Sequence, residues 1–167
     1  MARLIRRLGT ALFAVLLLLG FAPAIAQAIP AGPFSISVRH SGMCLEVDHG
    51  YLDPGTRVLQ WPCHGGQHQL WRIDDAGEGY VKVRAEHSGH CLEVDHGYVH
   101  AGAAVLQWWC HAGTHQQWQI VNRGDGWFQL RARHSGKCLE VEAGSYSSGA
   151  WLLQWDCHGG THQLWRT

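Results

Sequence analysis

One twelve-residue stretch constrains this chain more than any other feature, because it occurs three times at a spacing of 47 residues. It runs from Gln60 through Trp61, Pro62, Cys63, His64, Gly65, Gly66, Gln67, His68, Gln69 and Leu70 to Trp71, and returns from Gln107 to Trp118 and from Gln154 to Trp165. A fixed period of this kind means that one supersecondary unit is used three times, and that no unit buries its apolar face alone. The repeats run over about 33–79, 80–126 and 127–167. Glycine, proline or asparagine interrupts every window in which an amphipathic helix of ten or more residues would fit, which removes the helical solenoids.

Short alternating runs remain. In the first repeat they are Ser35 to Val38, Cys44 to Val47, Val58 to Cys63 and Gln69 to Ile73, separated by turn chemistry at Ser41-Gly42, at Gly50, Asp53, Pro54 and Gly55, and at Gly65-Gly66. Four strands per repeat suggest a propeller blade, but propellers typically need at least four blades. A closed threefold all-β structure is the expectation, with Leu45, Val47, Val58, Trp71, Ile73 and their counterparts inside. The joints 74–79 and 122–126 are too short to link independent domains.

Ahead of the repeats, Arg3, Arg6 and Arg7 precede an apolar run from Ala11 to Leu19, then Pro23 and small residues around Ala26 and Ala28. This pattern reads as a secretory signal over 1–28, and the run is shorter than the roughly 20 residues that a membrane span needs. The chain has 13 basic and 13 acidic residues, so loss of the three leader arginines leaves 10 against 13 in residues 29–167. A net negative chain lacks the electrostatic footprint of a nucleic-acid binder.

Six cysteines in an exported chain imply disulfides, for which 15 pairings exist. The repeat narrows them. Cys44, Cys91 and Cys138 are one equivalent set and Cys63, Cys110 and Cys157 the other; pairing within repeats closes three identical loops of about 20 residues, each contributing roughly 3 kcal/mol in the chain-entropy account.

Three Gln-x-Trp pairs (Gln69 with Trp71, Gln116 with Trp118, Gln163 with Trp165), a Cys-Leu-acid-Val strand and a second cysteine 19 residues on give the chain a family likeness. Over essentially all of residues 29–167 it resembles the ricin-type β-trefoil lectins and related carbohydrate-binding modules. That resemblance implies a twelve-stranded β-trefoil of six hairpins with up to three sugar pockets, one per repeat.

The residues themselves say where a pocket would lie. Alternation puts Cys44 and Glu46 on one strand face and Leu45 and Val47 on the other, while Cys63 shares its face with Trp61. A Cys44–Cys63 bond would bring Glu46 and Trp61 to one side, and a carboxylate beside an aromatic ring suits a pyranose: the acid takes vicinal hydroxyls and the ring covers the C–H face. By resemblance, the sugar-binding acid falls on Glu46, Glu93 and Glu140 and the aromatic platform on Trp61, Trp108 and Trp155. The polar pocket positions fall on His64, His111 and His158, on His68, His115 and His162, and on Gln69, Gln116 and Gln163. Glutamate stands where the family usually has aspartate, and histidine where it usually has asparagine. Gln60 also sits one position late; strict alternation aims it into the core, for which a β-bulge is the simplest escape. In the third repeat Glu142 and Ala143 replace an Asp-His pair beside a Ser-rich loop, and altered selectivity is expected there.

Other classes fit less well. No nucleophile stands in a recognisable setting, and each glutamate recurs threefold instead of forming an asymmetric pair, so no enzyme is expected. The 13 histidines raise a metal reading in which His64 and His68 share an ion, and a scaffold or inhibitor trefoil is a further alternative. The expectation is a secreted, monomeric, non-catalytic lectin without cofactor, for galactose-, xylose- or related glycan-containing polymers, with no nucleic-acid partner and no membrane insertion in its mature form.

Overall fold

The computed structural model describes residues 32–167, so the expected signal segment lies outside the described residues. Thirteen strands follow one another: β1 (Phe34–Ser35), β2 (Ser37–Val38), β3 (Cys44–Val47), β4 (Val58–Trp61), β5 (Leu70–Gly77), β6 (Tyr80–Ala85), β7 (Cys91–Val94), β8 (Val105–Trp108), β9 (Trp118–Asn122), β10 (Phe128–Ala132), β11 (Cys138–Val141), β12 (Leu152–Trp155) and β13 (Trp165–Arg166). The expected twelve become thirteen because the first strand is interrupted at Ile36. Six 3-10 turns join them, and there is no α-helix among the described residues.

β1 pairs with β5, β5 with β6, β6 with β9, β9 with β10, β10 with β13, and β13 with β2. Since β1 and β2 are two parts of one strand, that path is a closed ring, and closure removes exposed sheet edges. The remaining strands form the hairpins β3–β4, β7–β8 and β11–β12, one per repeat, capping the ring. A six-stranded barrel with three hairpin caps is the closed threefold structure expected from the repeat and the β-trefoil implied by the family resemblance.

The core is threefold as well. Trp71, Trp118 and Trp165 are fully buried together with Leu45, Leu92, Leu139, Val47, Val94 and Val141. Trp71 lies opposite Ala85 and Trp118 opposite Ala132 across the ladder, a large residue against a small one. Each indole N–H donates to a backbone carbonyl of the cap hairpin, Leu45, Leu92 or Leu139, at 3.0, 3.1 and 3.2 Å. These bonds satisfy the one polar atom of a buried tryptophan and tie barrel to cap. Ile73, expected in the core, is only partly buried at its rim.

Two expectations are corrected. Residues 74–79 are mostly strand, not turn, since β5 runs to Gly77 and reverses through Glu78 and Gly79 into β6. No bulge relieves Gln60 either: β3 and β4 pair without interruption, Cys44 to Trp61, Leu45 to Gln60, Glu46 to Leu59 and Val47 to Val58. Gln60 is therefore fully buried. Its amide donates to the carbonyls of Ser145 and Ser147, and its Oε1 accepts from the Ser41 hydroxyl. Gln107 likewise donates to Tyr51 and Asp53, and Gln154 to Tyr98 and His100. Each glutamine is satisfied by a loop of a different repeat, which a single repeat read in isolation does not contain.

Candidate functional site

The three expected disulfides are present, Cys44–Cys63, Cys91–Cys110 and Cys138–Cys157. Each sits at the open end of a cap hairpin, and the pairing register puts Cys44, Glu46 and Trp61 on one face. Glu46 and Trp61 are diagonal neighbours there, positions that stand about 7–8 Å apart in a sheet.

The carboxylate is held by a fixed set of donors. Glu46 Oε2 accepts from the Gln69 amide at 2.6 Å and from His64 Nε2 at 3.1 Å, with His68 Nε2 at 3.8 Å. The second pocket repeats this with Gln116, His111 and His115 around Glu93 at 2.5, 3.1 and 3.7 Å. The third does so with Gln163, His158 and His162 around Glu140 at 2.6, 3.0 and 3.7 Å. The glutamates are 4–5% exposed. Among the described residues their Oε1 atoms meet no donor, yet they are not sealed among the buried unpartnered atoms. Oε2 of each carboxylate is thus committed to the protein, while Oε1 meets no protein donor and the side chain keeps 5–6% of its surface exposed.

Gln69 is fully buried and spends all of its capacity: Oε1 accepts from the backbone N–H of His64 and Gly65, and Nε2 donates to Glu46 and to the Pro62 carbonyl. The glutamine holds the loop and aims the acid. His64 is oriented from its other side, because the Gly66 N–H donates to its Nδ1 at 3.1 Å. The same bond reaches His111 from Gly113 at 2.9 Å and His158 from Gly160 at 3.1 Å. An imidazole that accepts at Nδ1 carries its proton at Nε2, so His64 donates to Glu46.

That tautomer bears on the metal reading. Glu46, His64 and His68 do bring ligand-type atoms within 4.8 Å of one another, as do the two equivalent triads. A metal ligand, however, offers a bare nitrogen and donates its other N–H outward. His64 has the opposite arrangement, so the residues as placed fit a hydrogen-bonded carboxylate better than an ion.

The imidazoles need glycine beside them. A Cβ on Gly66 would lie 2.7 Å from His64 Cε1 and 2.8 Å from His68 Cε1, and one on Gly50, where φ is +64°, would lie 3.1 Å from His68 Nδ1. Burial pushes the His115 and His162 imidazoles below the usual histidine value, against the opposing pull of Glu93 and Glu140.

The platform rings are accessible at their rims. Trp61 and Trp155 are 41% and 42% exposed and Trp108 is half-buried. The far edge of each leans on a glycine of another repeat: Trp61 on Gly149, Trp108 on Gly55 and Trp155 on Gly102.

The sequence of residues 32–165 matches the model of the ricin-type beta-trefoil lectin domain. The chain belongs to that family. Among solved structures, this ricin-type trefoil is 43% identical to the designed threefold symmetric protein ThreeFoil, with a TM-score of 0.80 over 81% of this chain and 96% of that one. It is 31% identical to an exo-beta-1,3-galactanase from Clostridium thermocellum, with a TM-score of 0.80 over 82% of this chain but 30% of the enzyme. The Macrolepiota procera ricin B-like lectin, solved with lactose, shares 18% identity and the fold, with a TM-score of 0.72 over 84% of this chain and 97% of that one. Family membership supports a carbohydrate-binding role.

Sequence reasoning missed one histidine at each candidate pocket. His87 comes from the second repeat yet lies beside His68, ring centroids 6.1 Å apart; His134 stands in the same relation to His115 at 6.1 Å, and His40 to His162 at 5.9 Å. Their Nε2 atoms donate to the carbonyls of Tyr51, Tyr98 and Ser145 at 3.2, 3.0 and 2.8 Å. The signal was available in His40-Ser41-Gly42, His87-Ser88-Gly89 and His134-Ser135-Gly136, which recur at the same period. A separate depression, of about 250 Å³ and lined by Tyr80, Gln119, Arg131 and Arg133, lies away from all three pockets. Its arginines are engaged, Arg131 with the Gly136 carbonyl and Arg133 with Gln117 and Glu78, so it carries no comparable chemistry.

Proposed function

We propose that this chain is a secreted, non-catalytic lectin that binds galactose-type or related glycans through up to three quasi-equivalent pockets. The observation that carries the reading is the divided carboxylate: Glu46, Glu93 and Glu140 each keep one oxygen without a protein donor among the described residues while Gln69, Gln116 or Gln163 and a histidine pin the other. A pinned acceptor facing a half-exposed indole accepts sugar hydroxyls and covers a C–H face without reorganising on binding. His64, His111 and His158 act as orienting donors, and His68, His115 and His162 line the pocket. Gln69 and its counterparts position the acid from behind.

Glycoside hydrolysis uses two carboxylates with different roles flanking one bond. Here the same single glutamate recurs in three symmetric settings, which favours binding over turnover. The protein acts as a monomer with neither nucleic-acid partner nor cofactor.

A glycan array followed by calorimetry tests this. Binding to galactose-terminated glycans that disappears in the Glu46→Gln, Glu93→Gln, Glu140→Gln triple variant is the expected result. Undiminished binding in a folded triple variant would transfer the function elsewhere on the surface.

A further inference from the structure

The three pockets share a frame, but the pair of residues flanking each disulfide differs. Met43 and Pro62 flank the first, His90 and Trp109 the second, Lys137 and Asp156 the third. In the third repeat Lys137 Nζ and Asp156 Oδ1 are bonded at 2.5 Å. In the second, the His90 and Trp109 rings meet edge to face at 6.3 Å.

Trp109 is 59% exposed. A tryptophan that leaves so much ring in water contributes little to folding, and the backbone does not require one there, since the same position is proline in the first repeat and aspartate in the third. Trp109 is also part of the pocket frame. Its carbonyl accepts from Gln116 Nε2 at 2.8 Å, the same amide that donates to Glu93 at 2.5 Å. Its ring stands 5.3 Å from that of Trp108 at 69°. The two indoles make a corner: Trp108 on the sheet face that carries Glu93, Trp109 one residue further out with its ring in solvent. An exposed aromatic surface continuous with a sugar platform is what a second pyranose along a glycan chain would stack on.

We infer that the second pocket continues into a further subsite, with Trp109 as stacking platform for the next sugar of an oligosaccharide, so that this pocket reads at least two sugar units where the others read one. The inference rests on the carbohydrate reading above and goes beyond it by making one pocket selective for chain length. Trp109 is the specificity-determining residue, and the Lys137–Asp156 pair leaves the third pocket without an aromatic extension.

The test uses the Glu46→Gln, Glu140→Gln variant, in which only the second pocket is intact, titrated calorimetrically with galactose, lactose and β-1,3-galactobiose. A disaccharide should bind about tenfold more tightly than galactose, the equivalent of one aromatic stacking contact. Adding Trp109→Ala, or Trp109→Asp as in the third repeat, should abolish that advantage, bringing the ratio of disaccharide to galactose affinity down to about one. Pro62→Trp in a variant retaining only the first pocket should create the advantage there. No disaccharide advantage, or one that survives both Trp109 substitutions, overturns the inference while leaving the lectin reading intact. Absence of binding by every sugar, in this variant and in the unaltered protein, overturns both.

Discussion

At the scale of single residues, the pocket depends on a glycine as much as on its polar groups. Gly66, Gly113 and Gly160 give up space to two imidazoles each, and a methyl group there would meet ring carbon at 2.8 Å or less. Ala at all three should displace the histidines and weaken sugar binding at least about tenfold, which is about 1.4 kcal/mol, with the fold retained; calorimetry beside far-UV circular dichroism checks this. Unchanged affinity would show that the imidazole positions do not matter to the ligand. The histidines also make stability depend on pH. Burial lowers the folded-state values of His87, His90, His115 and His162 below the usual 6.5. The unfolded chain then binds more protons, so their contribution to stability is complete above about 6.5 and is lost as pH falls through the folded values. Melting temperature should therefore decline from pH 7.5 toward 5. A separate decline belongs at lower pH, where Asp74, held below the usual carboxylate range by the Arg84 guanidinium, becomes protonated. A flat melting profile between pH 7.5 and 5 would contradict the burial argument.

At the scale of elements, the strands β4, β8 and β12 are where the repeats become one molecule. Besides the side-chain bonds of Gln60, Gln107 and Gln154, the backbone N–H of Gly149, Gly55 and Gly102 donates to the carbonyls of those same glutamines, each at 2.8 Å. Replacing Gln60 by Leu keeps the volume and removes three hydrogen bonds: the Ser145 carbonyl keeps only His40, the Ser147 carbonyl keeps only the Ala150 N–H, and the Ser41 hydroxyl loses its acceptor. With each hydrogen bond worth about 0.5–1.5 kcal/mol net, the loss of the three should lower unfolding free energy by about 3 kcal/mol in chemical denaturation. A loss below about 0.5 kcal/mol would mean that water replaces the amide. The barrel strands behave differently, because Trp71, Trp118 and Trp165 contribute by burial; an alanine at any of them should cost about 3–5 kcal/mol.

At the scale of the whole molecule, threefold symmetry bears on stability and, on the proposed function, on valency. The three disulfides close loops of equal separation, 19 residues each. Reduction should therefore destabilise in three similar steps of about 3 kcal/mol, measurable by comparing Cys44→Ser, Cys63→Ser with the two equivalent double variants. On the proposed function, three pockets on one rigid body would also convert weak single-site binding into avidity, through effective concentration and without new contacts. Silencing one pocket with Glu46→Gln should lower retention on a galactose-bearing polymer far more than affinity for free galactose. Equal losses on polymer and free sugar would place all binding in a single pocket.

The 47-residue repeat by itself pointed to an all-β threefold fold, narrowed the disulfides to two equivalent cysteine sets and, given a bond within each repeat, put Glu46 and Trp61 on one side, through a period of 47 along the chain and of two along each strand. What it could not supply is contact between repeats. Gln60 read as a misplaced polar residue because its partners, Ser145 and Ser147, are 85 and 87 residues away. His40, His87 and His134 stayed unassigned because each serves a pocket built mainly by a different repeat. The tautomer of His64, which sets a hydrogen-bonded carboxylate apart from a metal triad, depends on a backbone N–H aimed by the Gly66 turn. Periodicity determines which way a side chain points from its own strand. Only closure of the barrel brings the distant loop that satisfies it, and closure is a property of all three repeats together.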